Sequence, residues 1–210
     1  MRTAASRLSA AGAGRLCASL LLLALVAGCA GSAKDTRLYV LGPVAATAPA
    51  AGGPAVVVAA VRLPQYLDRS QIVTRSGDNR LELAEFDLWG GNLRQDLARV
   101  LAENLSRLLG SERVVAAPHS LSAPAAFRVE VEVLAFERGP DGRVRLAAKW
   151  WLTRGTDAAP LAGTQAAELL GAPLGEAAGF DAVVASMSQV YAEFARGIAQ
   201  AIRAGGAAKP

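Results

Sequence analysis

The chain has 210 residues, of which 52% are hydrophobic and 19% charged, with a formal net charge of +4. Three basic residues, Arg2, Arg7 and Arg15, lie at the extreme N-terminus, so the remainder carries 22 − 3 = 19 basic against 18 acidic residues. A near-neutral domain lacks the basic surface a nucleic-acid partner needs, and two cysteines with a single histidine exclude a nitrogen- or sulfur-rich metal site.

The first 28 residues read as a lipoprotein-type signal peptide. The three arginines form a basic n-region, and Leu16 to Val26 is an apolar h-region. That run falls well short of the roughly 20 apolar residues of a spanning helix. Leu25, Val26, Ala27 and Gly28 precede Cys29 as a lipobox: an aliphatic residue, small residues, then cysteine. Small residues let an extended backbone thread into a peptidase, and the Cys29 thiol is then acylated. Buried acyl methylenes contribute about 0.8 kcal/mol each, so several chains anchor firmly. Cys17 is removed with the signal, which leaves no disulfide and no catalytic thiol. Ala30 stands where inner-membrane lipoproteins commonly carry aspartate, which favours the outer membrane. Residues 29–36 are the lipidated tether.

Arg37 to Leu41 predicts a first strand and Gly42 to Pro54, rich in Ala, Pro and Gly, a flexible loop. Ala55 to Leu63 is β-branched and bounded by prolines, a buried strand. Gln71 to Arg75 and Arg80 to Ala84 flank Ser76-Gly77-Asp78-Asn79 as a hairpin. Trp89 then packs the start of a helix, with an interface anchor as the alternative; the helix runs over Asn92 to Leu109, where Leu93, Leu97, Val100, Leu101, Leu105 and Leu108 recur at helical spacing. Asn92 caps it, Gln95 completes a capping box and Gly110 ends it. Glu103 and Arg107 have the spacing of an exposed ion pair.

Phe127 to Phe136 alternates, with Phe127, Val129, Val131, Val133 and Ala135 inward. If Gly139-Pro140-Asp141-Gly142 is the whole turn, Glu132 faces Lys149 and Val131 faces Trp150, an opposite-charge pair that supports the register. This parity puts Leu134, Phe136 and Trp151 on the outer face, as a second core layer or a contact patch. Gly163 to Leu170 adds a strand. Phe180 to Ile202 is a second helix, ended by Gly205 and Gly206. These elements make one α+β domain, residues 37–206: an antiparallel-rich sheet with two main helices packed on it, and a frayed tail at 207–210.

Catalytic chemistry has little to stand on. His119 lies in a loop without a GxSxG elbow or an SxxK nearby. Glu130 and Glu132 alternate with valines, which is a solvated strand face before it is a carboxylate pair. No phosphate-cradling glycine motif occurs. The expectation is a non-enzymatic protein without cofactor or metal.

The order of the lipobox, Leu38-Tyr39-Val40-Leu41, Val61-Arg62-Leu63-Pro64-Gln65-Tyr66-Leu67-Asp68, Gln71-Ile72-Val73, Leu88-Trp89 and Glu103-Asn104-Leu105 resembles the ABC-type transport auxiliary lipoproteins, the PqiC-like family. Gly91-Asn92 departs from it, since members often have proline near that helix start. The resemblance implies an outer-membrane lipoprotein whose domain faces the periplasm. It also implies service to a lipid or solvent transport system built from MCE (mammalian cell entry) proteins and an ABC or related inner-membrane component. A ring-symmetric partner would favour a homo-oligomer. Cys29 is the one functional residue it carries over. Tyr66 and Leu67, outside the regular elements, are expected at the surface as partner contacts, with Leu134, Phe136 and Trp151 as the next surface. A lipid-binding carrier, an envelope assembly chaperone and a lipoprotein hydrolase are the alternatives.

Overall fold

A computed structural model describes residues 35–44, 52–119, 124–155 and 160–207. The signal peptide, Cys29, the tether up to Lys34 and the tail from Ala208 lie outside the described residues. From Thr36 onward the chain forms one compact unit. Its elements are β1 (Arg37–Tyr39), β2 (Val56–Arg62), β3 (Gln71–Gly77), β4 (Arg80–Trp89), α1 (Leu93–Leu109), β5 (Val114–Ala116), β6 (Phe127–Arg138), β7 (Val144–Arg154), β8 (Pro160–Leu170) and α2 (Phe180–Ala207).

Helix α1 starts and stops as its sequence dictates. Asn92 Oδ1 accepts from the Gln95 N–H at 3.1 Å, and Gly110 adopts φ 59°, a left-handed cap that suits glycine. Leu93, Leu97, Val100, Leu101 and Leu105 are buried. On the wet side Glu103 pairs with Arg99, one turn before it in the helix, at 2.7 Å. Helix α2 runs through Gly205 and Gly206 to Ala207, past its expected end. Arg154 of β7 bonds the Gly205 carbonyl and holds that last turn on the sheet.

The two helices cover one face of an eight-stranded sheet, α1 over β2 and β5, α2 over β6, β7 and β8. The domain is α+β, as expected, but the sheet is not antiparallel-rich. Four of its seven strand pairings are parallel: β1 with β4, β2 with β5, β2 with β6 and β3 with β6. Tight turns announce antiparallel neighbours in the sequence, whereas parallel neighbours are joined by long crossovers and leave no local signal.

Strand β6 is the spine. One edge pairs with β7 along its full length. The other is shared, with Phe127 to Glu132 against β2 and Arg138 against Thr74 of β3. Glu132 does face Lys149, and Val131 faces Trp150. Two deviations cancel to give this register. The turn is one residue longer than expected, since Arg138 pairs with Val144, and a bulge between Val133 and Ala135 takes up the extra residue. Beyond the bulge the inward parity flips, so Phe136 joins the core beside Leu146.

The core fills the space between sheet and helices. Tyr191 of α2 is fully buried and donates its hydroxyl to the Leu97 carbonyl of α1 at 3.1 Å. Its ring lies 5.8 Å from those of Phe136 and Phe194. The start of the predicted flexible loop is instead a strap across both helices. The Leu41 N–H donates to Asp96 at 2.9 Å, Gly42 N–H to Ser188 at 3.2 Å and Val44 N–H to Asn104 at 3.1 Å.

Candidate functional site

The segment Pro64 to Ser70 crosses the fork between β2 and β3, where β6 has no strand neighbour on that edge. Two short turns shape it, Leu67 N–H to Pro64 O at 3.0 Å and Asp68 N–H to Gln65 O at 3.3 Å. Leu67 is buried in the core at 2% exposure, so the expectation that it lies at the surface is wrong. Tyr66 is half-buried. Its hydroxyl donates to Glu137 at 2.9 Å and lies 3.3 Å from the Leu134 carbonyl, exposed by the bulge. Asp68 pairs with Arg94 and ties the segment to α1.

Glu137 is only 2% exposed. One carboxylate oxygen accepts from Arg75 Nε at 2.9 Å; the other accepts from Tyr66 and from the Phe136 N–H at 2.8 Å. A buried carboxylate is tolerated when both oxygens are bonded and its charge is matched. Burial, then the neighbouring Glu137 charge and hydrogen bond, push the Tyr66 phenol up to about 12. The Glu137 hydrogen bond likewise raises Arg75. The phenol therefore stays protonated at neutral pH, a donor locked onto its acceptor. This cluster holds the connection in place and offers neither a free base nor a nucleophile. Sequence reasoning missed Arg75 and Glu137. The one available signal was a charged residue directly after Phe136, where the alternation breaks.

A second buried acid, Asp87, clamps β1 to β4. It accepts from the Tyr39 hydroxyl at 3.1 Å and pairs with Arg37 at 2.7 Å. Trp89 closes β4 opposite Tyr39 and is 6% exposed, a core residue at the end of a strand.

The candidate contact residues are scattered. Leu134 is 43% exposed, while Phe136 is 1% exposed and leaves the candidate surface because of the parity change. Trp151 is half-buried and donates its indole N–H to Thr164 at 2.8 Å. His119 is exposed, its Nδ1 3.3 Å from the Ala116 carbonyl. Glu130 pairs with Arg62 at 3.1 Å and Glu132 lies opposite Lys149, as members of a solvated strand face. Among the described residues no group of three or more His, Cys, Asp or Glu is placed to hold a metal. No described helix is long and apolar enough to cross a membrane.

The sequence pattern of the ABC-type transport auxiliary lipoprotein component matches residues 39–199. The chain belongs to that family. Among solved structures, the auxiliary lipoprotein is similar to an uncharacterized protein at 24% identity, with a TM-score of 0.65 over 80% of this chain and 99% of that one. It is also similar to a DUF330-family protein from Xanthomonas campestris at 13% identity, with a TM-score of 0.66 over 81% and 97%. At such identities these likenesses establish the fold. Among curated proteins none matches the auxiliary lipoprotein.

Proposed function

We propose that this lipoprotein is anchored in the outer membrane through an acylated Cys29 and docks the periplasm-spanning MCE partner of a lipid or solvent transport system. The observation that carries the reading is the family match over residues 39–199, directly behind a lipobox. Its work is binding, not catalysis. A tyrosine–carboxylate–guanidinium lock, and an exposed histidine with no acid or nucleophile bonded to it among the described residues, supply no reacting group. A carrier that encloses lipid would need internal space. Here Tyr191, Phe136, Leu146 and Met187, each at most 1% exposed, fill the centre of the sheet–helix layer, and the spaces at its margins, between α1 and β5 and between α2 and β7–β8, are open surface grooves rather than enclosed cavities. Docking is therefore the better-supported reading. Of the contact residues expected from sequence, Tyr66, Leu134 and Trp151 keep exposed area.

Cys29→Ala should abolish acyl labelling and remove the protein from the outer-membrane fraction. Full-length wild type in detergent should capture the purified periplasmic region of the MCE partner. Normal acylation of the Cys29→Ala protein would refute the anchor, and absence of capture would refute the docking role.

A further inference from the structure

We infer that the groove between α1 and the free edge of β5 receives an extended segment of the partner protein as an added strand. This inference rests on the docking reading above and assigns it a place. Among the described residues strand β5 is an outer strand that pairs with β2 alone. The Val56 N–H donates to Arg113 O at 2.8 Å, and the Ala117 N–H donates to Val58 O at 2.9 Å. In a parallel ladder these bonds fix the alternation. Residues 113, 115 and 117 turn their backbone groups to β2, and Val114 and Ala116 turn theirs away. The turn to His119 uses the Ala116 carbonyl, which accepts the His119 N–H at 3.1 Å. The Val114 N–H and C=O and the Ala116 N–H have no partner among the described residues.

These groups border a surface groove of about 910 Å³. Its opposite wall is one face of α1, with Arg99, Ala102 and Ser106 at helical spacing. Backbone donors and acceptors in alternation along an apolar strand are matched by one kind of occupant, another extended backbone. An acyl chain would leave all three groups unbonded. Arg99 is already paired with Asp96 and Glu103, so the helix wall carries no spare charge from it for a charged ligand. The chemistry selects an extended peptide of small or β-branched residues. The other edges are less open to pairing: β8 begins at Pro160 and carries Glu168, and β1 begins at Arg37.

Val114→Pro tests the assignment. Proline deletes the groove-side N–H and leaves untouched the bonds that 113, 115 and 117 make to β2. Val114→Thr keeps the N–H and a similar shape. The probe is the purified periplasmic region of the MCE partner, added to the full-length protein in detergent. Val114→Pro should weaken binding at least about tenfold, with an unchanged circular dichroism spectrum, and Val114→Thr should bind as wild type does. Hydrogen exchange on the wild type decides independently of how the proline variant folds: the partner should slow the Val114 and Ala116 amides. Partner binding with β5 exchange unchanged overturns the groove assignment and leaves docking standing. Failure of the wild type to bind overturns both. Protection conferred instead by phosphatidylethanolamine–phosphatidylglycerol vesicles alone, with Val114→Pro bound as tightly as wild type, gives the groove to lipid and overturns the peptide assignment.

Discussion

Glu137 shows how one buried charge organises a surface connection. Its oxygens hold Tyr66 and Arg75, so the loop from Pro64 to Ser70 is pinned over the gap beside β6. Tyr66→Phe keeps the ring and removes the donor, and should cost about 1–2 kcal/mol. The pH dependence has a definite sign. The folded Tyr66 value, about 12, lies above the ordinary value of 10.0, so the neutral phenol is favoured by folding. Its contribution is complete below pH 10 and is lost as pH rises toward 12, because the unfolded chain ionises first. Urea unfolding of wild type and Tyr66→Phe at several alkaline pH values measures this: the stability gap should hold up to pH 10 and narrow above it. A gap that stays constant to pH 12 contradicts the lock.

At the scale of elements, the contrast between Leu134 and Phe136 is the sharpest test of the bulge. Simple alternation puts both on one outer face. The bulge exposes Leu134 and sends Phe136 into the core against Tyr191. Phe136→Ala should therefore cost about 3–5 kcal/mol, and Leu134→Ala no more than about 0.5 kcal/mol, by thermal or denaturant melting. Equal, small effects would restore the uninterrupted strand. The same hairpin shows what the sequence makes legible. Alternation, the glycine-proline turn and opposite charges gave the pairing of Glu132 with Lys149. The offsetting extra turn residue and bulge were invisible because they cancel in the register. Capping and periodicity gave α1 to within a residue. The parallel pairings and the fork at β6 were not legible, because they join strands distant in sequence. Local pattern puts Leu67 and Tyr66 at the surface because they lie outside regular elements. A connection that plugs a gap in a sheet is packed like an element, and burial there follows from topology rather than from local pattern. The lock residues Arg75 and Glu137 were hidden for the same reason, since each is an ordinary charged strand residue until the fork brings them together.

At the scale of the molecule, the proposed lipid and the domain have separable tasks. Seven residues lie between Cys29 and Arg37, a reach of at most about 3.3–3.6 Å per residue step when extended. An acylated Cys29 would thus hold β1 within about 30 Å of the bilayer. The contacts that close the fold are internal to the domain: the Asp87 clamp, the Glu137 lock and the strap over the helices. None of them uses the anchor. Cys29→Ala should then leave the melting temperature and the affinity for the partner in solution unchanged, while transport fails. What such an anchor would supply is effective concentration, which multiplies binding without adding a contact. Inserting a flexible Gly/Ser stretch after Ala30 separates the two ideas further. Effective concentration falls only as about the −3/2 power of linker length once the span is reached, so about ten added residues should reduce transport a few-fold rather than abolish it. Transport assays on strains carrying Cys29→Ala and the lengthened tether, beside affinity measured on the purified proteins, provide the check. Loss of solution affinity in Cys29→Ala would mean that the anchored segment itself forms part of the docking surface, and the division of labour drawn here would fail.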